Sequence, residues 1–201
     1  MSIDVPSPID LRLMADARPW AETALARRPA RPEFFDAFAR SIGRDGVRVL
    51  ELGSGPGFLA DHLLRALPGL QYVALDFSPA MHQLAAERLG ERAARVAFVE
   101  RSFREPAWSE GLGAFDVVVT HQAVHELRHK SYATTLHAQV RPLLAPGGAY
   151  LVCDHFLGEG GLSNDQLYMT VDQQREALLE AGFADVEAVL VKGGLALHRA
   201  Q

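Results

Sequence analysis

Three glycines at alternate positions, Gly53, Gly55 and Gly57, follow a short apolar run that ends in an acid, Val49-Leu50-Glu51-Leu52. An apolar run of that length reads as a buried strand, and glycines directly after it let the backbone turn tightly and approach a ligand closely. A second acid, Asp76, stands about 20 residues further on, after the apolar run Tyr72-Val73-Ala74-Leu75. At the tip of the next strand such an acid accepts hydrogen bonds from ribose hydroxyls, and Phe77 beside it offers a ring to a base. The chemistry these residues support is the gripping of a nucleoside. A dinucleotide fits less well. Its fingerprint needs a third glycine where Phe58 stands, and Glu51, two residues before the first glycine, repels a pyrophosphate while suiting a cationic or amine-bearing ligand.

A second group of chemistry-bearing residues lies downstream: His121, Gln122, His125 and Glu126 after the apolar run 115–120, and Asp154 with His155 after the run 149–153. Neutral imidazole takes a proton near pH 7, so His125 is the first candidate for a general base and His155 the second. The letters His125-Glu126-Leu127-Arg128-His129 match the zinc pattern H-E-x-x-H, in which two histidines share one helical face. Its extended form requires a glycine and a third histidine where this chain has Tyr132 and Thr135, and the segment abuts a buried strand. No metal is expected. Arg128 and Lys130 then read as a solvated helix start, and the Phe34, Phe35, Phe38 cluster as helix core.

The elements that must position these groups alternate. Strands are expected at 47–52, 72–76, 96–100, 115–120 and 149–154, with helices at 58–67, 80–89 and 132–144 between them. Ser78 before Pro79 has the makings of a helix start, and Pro146-Gly147-Gly148 closes the fourth helix and turns the chain into the fifth strand. A helix near 171–181 precedes two strands, 186–191 and 195–199, joined by a glycine turn. Strands alternating with helices imply a doubly wound, mostly parallel α/β sheet. Residues 1–18 read as a loosely held arm, followed by helices at 20–25 and 34–42 split by Pro29 and Pro32.

Composition bounds the rest. With 201 residues, 48% apolar and 22% charged, the chain suits a single ordered α/β domain. Its formal charge of −5 offers no basic field for nucleic acid or an anionic membrane. Cys153, the one cysteine, has no internal partner for a disulfide and reads as a small buried hydrophobe. Neither a signal segment nor an apolar run long enough to span a bilayer is visible, which predicts a cytoplasmic protein.

The segment Glu51-Leu52-Gly53-Ser54-Gly55-Pro56-Gly57, taken with Asp76, resembles the first motifs of the class I S-adenosylmethionine-dependent methyltransferases, and the resemblance covers roughly residues 45–199. It implies a seven-stranded Rossmann-like sheet ending in a β-hairpin, with residues 1–45 as a helical arm or lid and 46–201 as the cofactor-binding domain. It also implies that Gly53, Ser54 and Gly55 present backbone groups to the methionine portion of S-adenosyl-L-methionine, that Asp76 holds the ribose and that Phe77 stacks on adenine. After the third strand the family often shows Gly-Asp; here Arg101-Ser102 stands there, so adenine recognition falls to Ser102, Phe103 and backbone groups. The stretch 115–127 looks like the family's fourth-strand motif, which sets His121 and Gln122 near the cofactor and His125 nearer the acceptor. The expected activity is in-line methyl transfer to a small-molecule acceptor. The alternatives are a cofactor-binding regulatory or partner protein without catalysis, which a turnover assay separates, and an NAD-dependent oxidoreductase, which a binding comparison separates.

Overall fold

A computed structural model describes residues 3–201; residues 1 and 2 of the expected arm lie outside the described residues. Among these residues seven strands form one sheet in the order β3-β2-β1-β4-β5-β7-β6. The chain divides into two compact units, residues 8–108, and residues 3–7 together with residues 109–201.

In the first unit, β1 (Arg48–Leu52), β2 (Gln71–Asp76) and β3 (Val96–Glu100) run parallel, with Leu50 opposite Val73 and Asp76 opposite Glu100. Both faces of β1 and β2 are covered, which is why their cores read as unbroken apolar runs rather than alternating ones. Helix α3 (Phe58–Ala66) follows the glycine loop, and α4 (Pro79–Leu89) follows β2. Ser78 caps α4: its Oγ accepts the Met81 N–H at 3.1 Å, and Pro79 occupies the first turn, where its missing N–H costs nothing.

Two helices precede β1: α1 (Met14–Ala24) and α2 (Arg31–Ile42). The first begins well before the expected start near Trp20 and runs through Pro19. Packing outweighs the proline, because Ala17 and Ala21 bury against Ala80, Met81 and Leu84 of α4. Phe34, Phe35 and Phe38 are buried on α2, as its spacing predicts.

The second unit holds β4 (Phe115–His121) parallel to β5 (Leu144–His155), then β6 (Val186–Lys192) and β7 (Leu195–Ala200), with β7 antiparallel to both β5 and β6. The C-terminal hairpin is therefore present. Strand β5 starts five residues before the expected one, since Pro146-Gly147-Gly148 lies inside it, where the register against β4 breaks between Phe115 and Val117. Gly148 is required at that break: a Cβ there would stand 2.9 Å from the carbonyl oxygens of Ala145 and Asp116. Helix α5 (Ala133–Val140) is shorter than expected because Pro142 tightens its end into a 3-10 turn. Helix α6 (Val171–Glu180) carries a reciprocal cap between Thr170 and Gln173.

Two further histidines in this unit are buried without an ion-pair partner among the described residues. His137 of α5 lies 3.3 Å from the Tyr150 hydroxyl, and His198 of β7 has both ring nitrogens buried without hydrogen bonds. Burial pushes their pKa values down, to about 3 for His137 and about 4 for His198. In the unfolded chain each titrates near 6.5, so between these values the unfolded state binds more protons. The contribution of these two histidines is full above pH 6.5 and is lost as the pH drops toward 4. Thermal unfolding followed by circular dichroism from pH 7.5 to 4.5 should show that decline, with a shallower slope in His137→Gln; equal slopes would remove His137 from the account.

Candidate functional site

The glycine loop is built on backbone geometry that side chains resist. Gly53, Gly55 and Gly57 have φ of 67°, 52° and 75°, and Gly57 stands in the left-handed conformation ahead of α3. Their surroundings differ. A Cβ at Gly57 would meet Ala85 Cβ at 3.0 Å, so that glycine serves close packing of the loop on α4. A Cβ at Gly55 would meet nothing within 4 Å, which leaves open space beside the backbone.

Asp76 organises this loop. Its Oδ2 accepts the Gly55 N–H at 2.8 Å and its Oδ1 accepts the Ser78 N–H at 2.9 Å, so one buried carboxylate ties the glycine turn to the start of α4. The Gly53 and Ser54 amides donate to the Leu75 carbonyl at 2.8 and 3.1 Å. Those two N–H groups bind the loop to the end of β2, and Gly55's is held by Asp76. The Ser54 hydroxyl, by contrast, is buried without a hydrogen-bond partner. An orphaned buried hydroxyl next to open space at Gly55 fits a polar ligand that would complete it. Phe77, 39% exposed, leaves a ring available beside Asp76.

Glu51 is buried and accepts the Tyr72 hydroxyl at 2.8 Å. Burial pushes its pKa up to about 8; the Tyr72 hydrogen bond opposes this and the charge of Asp76 adds to it. At neutral pH the carboxyl is therefore mostly protonated, and a cation nearby would draw it back to the carboxylate. After β3, the Arg101 N–H donates to the Asp76 carbonyl at 3.0 Å, Ser102 Oγ accepts the Arg104 N–H at 3.3 Å, and Phe103 is buried.

The histidine group forms within residues 109–201. Gln122 leaves β4 with φ of 55° and donates its N–H to the Cys153 carbonyl at 2.7 Å; a 3-10 turn, Val124–Leu127, then carries His125. Asp154, at the end of β5, receives that turn. Its Oδ1 lies 2.7 Å from His125 Nδ1 and its Oδ2 accepts the His125 backbone N–H at 2.8 Å. The His155 N–H also donates to Oδ1 at 2.7 Å, while the His155 ring meets the Gln122 amide nitrogen at 2.8 Å. Tyr168 packs its ring against both histidines, with centroids 5.7 and 5.8 Å away.

Burial alone would lower the His125 pKa, but Asp154 and Glu126 outweigh it and push it up to about 10. Asp154 moves the other way: burial raises its pKa, and the charge and hydrogen bond of His125 bring it below the usual carboxylate value. The resting pair is imidazolium and carboxylate. It borders a small cavity lined also by Lys130, His137, Tyr168 and Met169. His155 shares this cavity; His121, at the end of β4, does not line it.

The segment 125–130 differs from a regular helix start. The zinc-like letters do not form one helix, since Arg128 is left-handed at φ of 71° and His129 is extended, bonded instead to Ser131. Arg128 and Lys130 are not a solvated helix start either. Lys130 lines the cavity, and Arg128 is buried, its guanidinium donating to the carbonyls of Val5 and Pro6 at 2.9 and 2.8 Å and to Glu126 at 3.1 Å. The Val5 N–H donates back to the Arg128 carbonyl, and the Tyr132 hydroxyl reaches Asp4. Sequence reasoning placed Asp154 at a strand end but missed its pairing with His125, read Lys130 as solvated surface and Tyr72 as strand core, and did not single out Tyr168.

Comparison with known proteins bears on the family. A family profile described as a methyltransferase domain matches residues 50–150. The malonyl-[acyl-carrier protein] O-methyltransferase of Geobacter sulfurreducens is 28% identical over 165 residues, covering 72% of this chain and 58% of that protein. A highly reducing polyketide synthase of Emericella nidulans is 32% identical over 130 residues, 59% of this chain but 5% of the synthase. The chain thus spans between a twentieth and three fifths of these two relatives' lengths. Among solved structures, DhpI in complex with SAH superposes with a TM-score of 0.70 at 22% identity, over 94% of this chain and 92% of that one, a likeness of fold.

Proposed function

The chain belongs to the methyltransferase-domain family, that of the class I S-adenosylmethionine-dependent methyltransferases, and from that premise we propose that it transfers a methyl group from S-adenosyl-L-methionine to a small-molecule acceptor. The cofactor supplies an electrophilic methyl group on a sulfonium. Glu51 meets its amino end, Gly53, Ser54, Gly55 and Gly57 cradle it, Asp76 accepts from the ribose, and Phe77, Ser102 and Phe103 border the adenine. The observation that carries this reading is the loop 53–57, where a buried, unpartnered Ser54 hydroxyl adjoins open space at Gly55.

Residues 109–201 meet the acceptor. Displacement at a methyl group demands alignment of nucleophile and leaving group, and holding both reactants in place contributes up to about 7–11 kcal/mol. His125 borders the cavity, its Nδ1 held by Asp154 and its Nε2 3.4 Å from Glu126, the weaker contact that an acceptor oxygen would displace. An imidazolium facing an ionised acceptor has the same proton count as neutral imidazole facing a protonated one; in the second description His125 is the general base. His155, its ring held by Gln122, is the second candidate.

The acidic balance of the chain favours a metabolite over nucleic acid, and among the described residues no helix is long and apolar enough to cross a membrane. We place the protein in the cytoplasm on the same grounds. Calorimetry with S-adenosylmethionine and S-adenosylhomocysteine, followed by methylation of a metabolite extract with a labelled donor, tests the reading. Binding of both with label in a small molecule is the expected result; no binding of either would overturn it, and binding without turnover would favour a non-catalytic role.

A further inference from the structure

Glu51 and Tyr72 form a buried pair just ahead of the glycine loop. Glu51 stands on β1 opposite Ala74 of β2, and Tyr72 lies two residues before Ala74, on the same face of the sheet. From that diagonal position the Tyr72 hydroxyl donates to Glu51 Oε2 at 2.8 Å. Each residue is 2% exposed. Oε1 of Glu51 makes no hydrogen bond among the described residues, so half of the carboxyl is left for another donor.

A buried carboxyl keeps its proton until a cation takes that proton's place. The titratable groups acting on Glu51 are Tyr72 and Asp76, both of β2, and they pull in opposite directions. The charge of Asp76 favours the protonated acid, and the Tyr72 hydrogen bond favours the carboxylate. Tyr72 itself stays protonated, because burial and the charge of Glu51 hold its pKa well above the usual tyrosine value. The donor is therefore permanent, and its bond strengthens when the carboxyl ionises. Asp76 also holds the Gly55 N–H, which sets both acids at the loop.

We propose that Tyr72 is a positioning residue for the cofactor: its hydroxyl fixes the Glu51 carboxyl so that a ligand ammonium group docks on Oε1 and displaces the carboxyl proton. The carboxyl O–H bond breaks, its proton passes to solvent, and the carboxylate pairs with the ammonium. This deepens the function proposed above and rests on it. The pair then distinguishes a ligand that carries an amino-acid end from a nucleoside that lacks one.

The test counts that proton. S-adenosylhomocysteine is titrated into the full chain by calorimetry from pH 5.5 to 7.5, in pairs of buffers that differ in ionisation enthalpy. Close to one proton should be released, and affinity should rise roughly tenfold per pH unit below pH 7, as linkage to one proton requires. Glu51→Gln should abolish both effects. Tyr72→Phe should weaken S-adenosylhomocysteine roughly tenfold at pH 7, while 5′-methylthioadenosine, which has no amino-acid portion, stays within about twofold. Affinity independent of pH, no proton released, release that persists in Glu51→Gln, or equal losses for both ligands in Tyr72→Phe overturns the proposal. The wild-type proton count decides even if a variant fails to fold or the shorter nucleoside does not bind. S-adenosylhomocysteine bound without proton release removes this inference alone, whereas its failure to bind at any pH removes the methyl-transfer reading.

Discussion

His125→Ala lowers kcat/KM by roughly 10²–10⁴-fold while leaving the affinity for S-adenosylhomocysteine within about twofold, the expected signature of a positioned proton-handling group that does not hold the cofactor. The reason is geometric. Two bonds from Asp154, one to the ring and one to the backbone, fix His125 on a 3-10 turn that borders the cavity. Asp154→Asn keeps a partner for Nδ1 but removes the charge that raises the His125 pKa to about 10. If the active form is the imidazolium, activity in the wild type falls as the pH rises through about 10, and in Asp154→Asn that fall moves toward the ordinary histidine value near 6.5. Initial rates across pH 5.5 to 10.5 check this, and superimposable profiles for the two proteins would exclude the dyad.

Asp76→Ala carries the second large effect. The carboxylate is buried and accepts the amides of Gly55 and Ser78, so its loss strands two N–H groups and removes the proposed ribose acceptor. Hydrogen bonds to charged groups contribute roughly 1.5–3 kcal/mol each, so S-adenosylhomocysteine affinity should fall by roughly 10²-fold, and the unfolding temperature should fall with it. Asp76→Asn, which retains one carbonyl oxygen as acceptor, should lie between the two. Calorimetry on the three proteins decides, and unchanged affinity in Asp76→Ala would refute the ribose role. A loss of stability without a loss of affinity would leave Asp76 as a structural tie alone.

The contrast between these residues shows what the sequence could reveal. The loop and Asp76 were legible because the features that make them are local: glycines where φ is positive, an apolar run on either side, and an acid at a strand tip. The strand and helix order was legible for the same reason. The His125–Asp154 pair was not, because it depends on the register that sets His121 opposite Cys153, and a break between Phe115 and Val117 shifts that register. Arg128 and Lys130 looked like a solvated run because charge is local information, whereas the carbonyls that bury Arg128 come from Val5 and Pro6, far away along the chain. The early start of α1 was hidden by Pro19, whose cost is offset by alanines packing on α4.

The clasp of Arg128 on Val5 and Pro6 has a practical side. Those few residues ahead of Pro8 hold the guanidinium that in turn steadies Glu126, the neighbour of His125. Samples nicked or tagged close to Asp4 would therefore mix molecules whose imidazole is well seated with others in which it is loose. Uneven specific activity between preparations would trace to that margin of the chain, and mass spectrometry of the first peptide is the quality control it calls for.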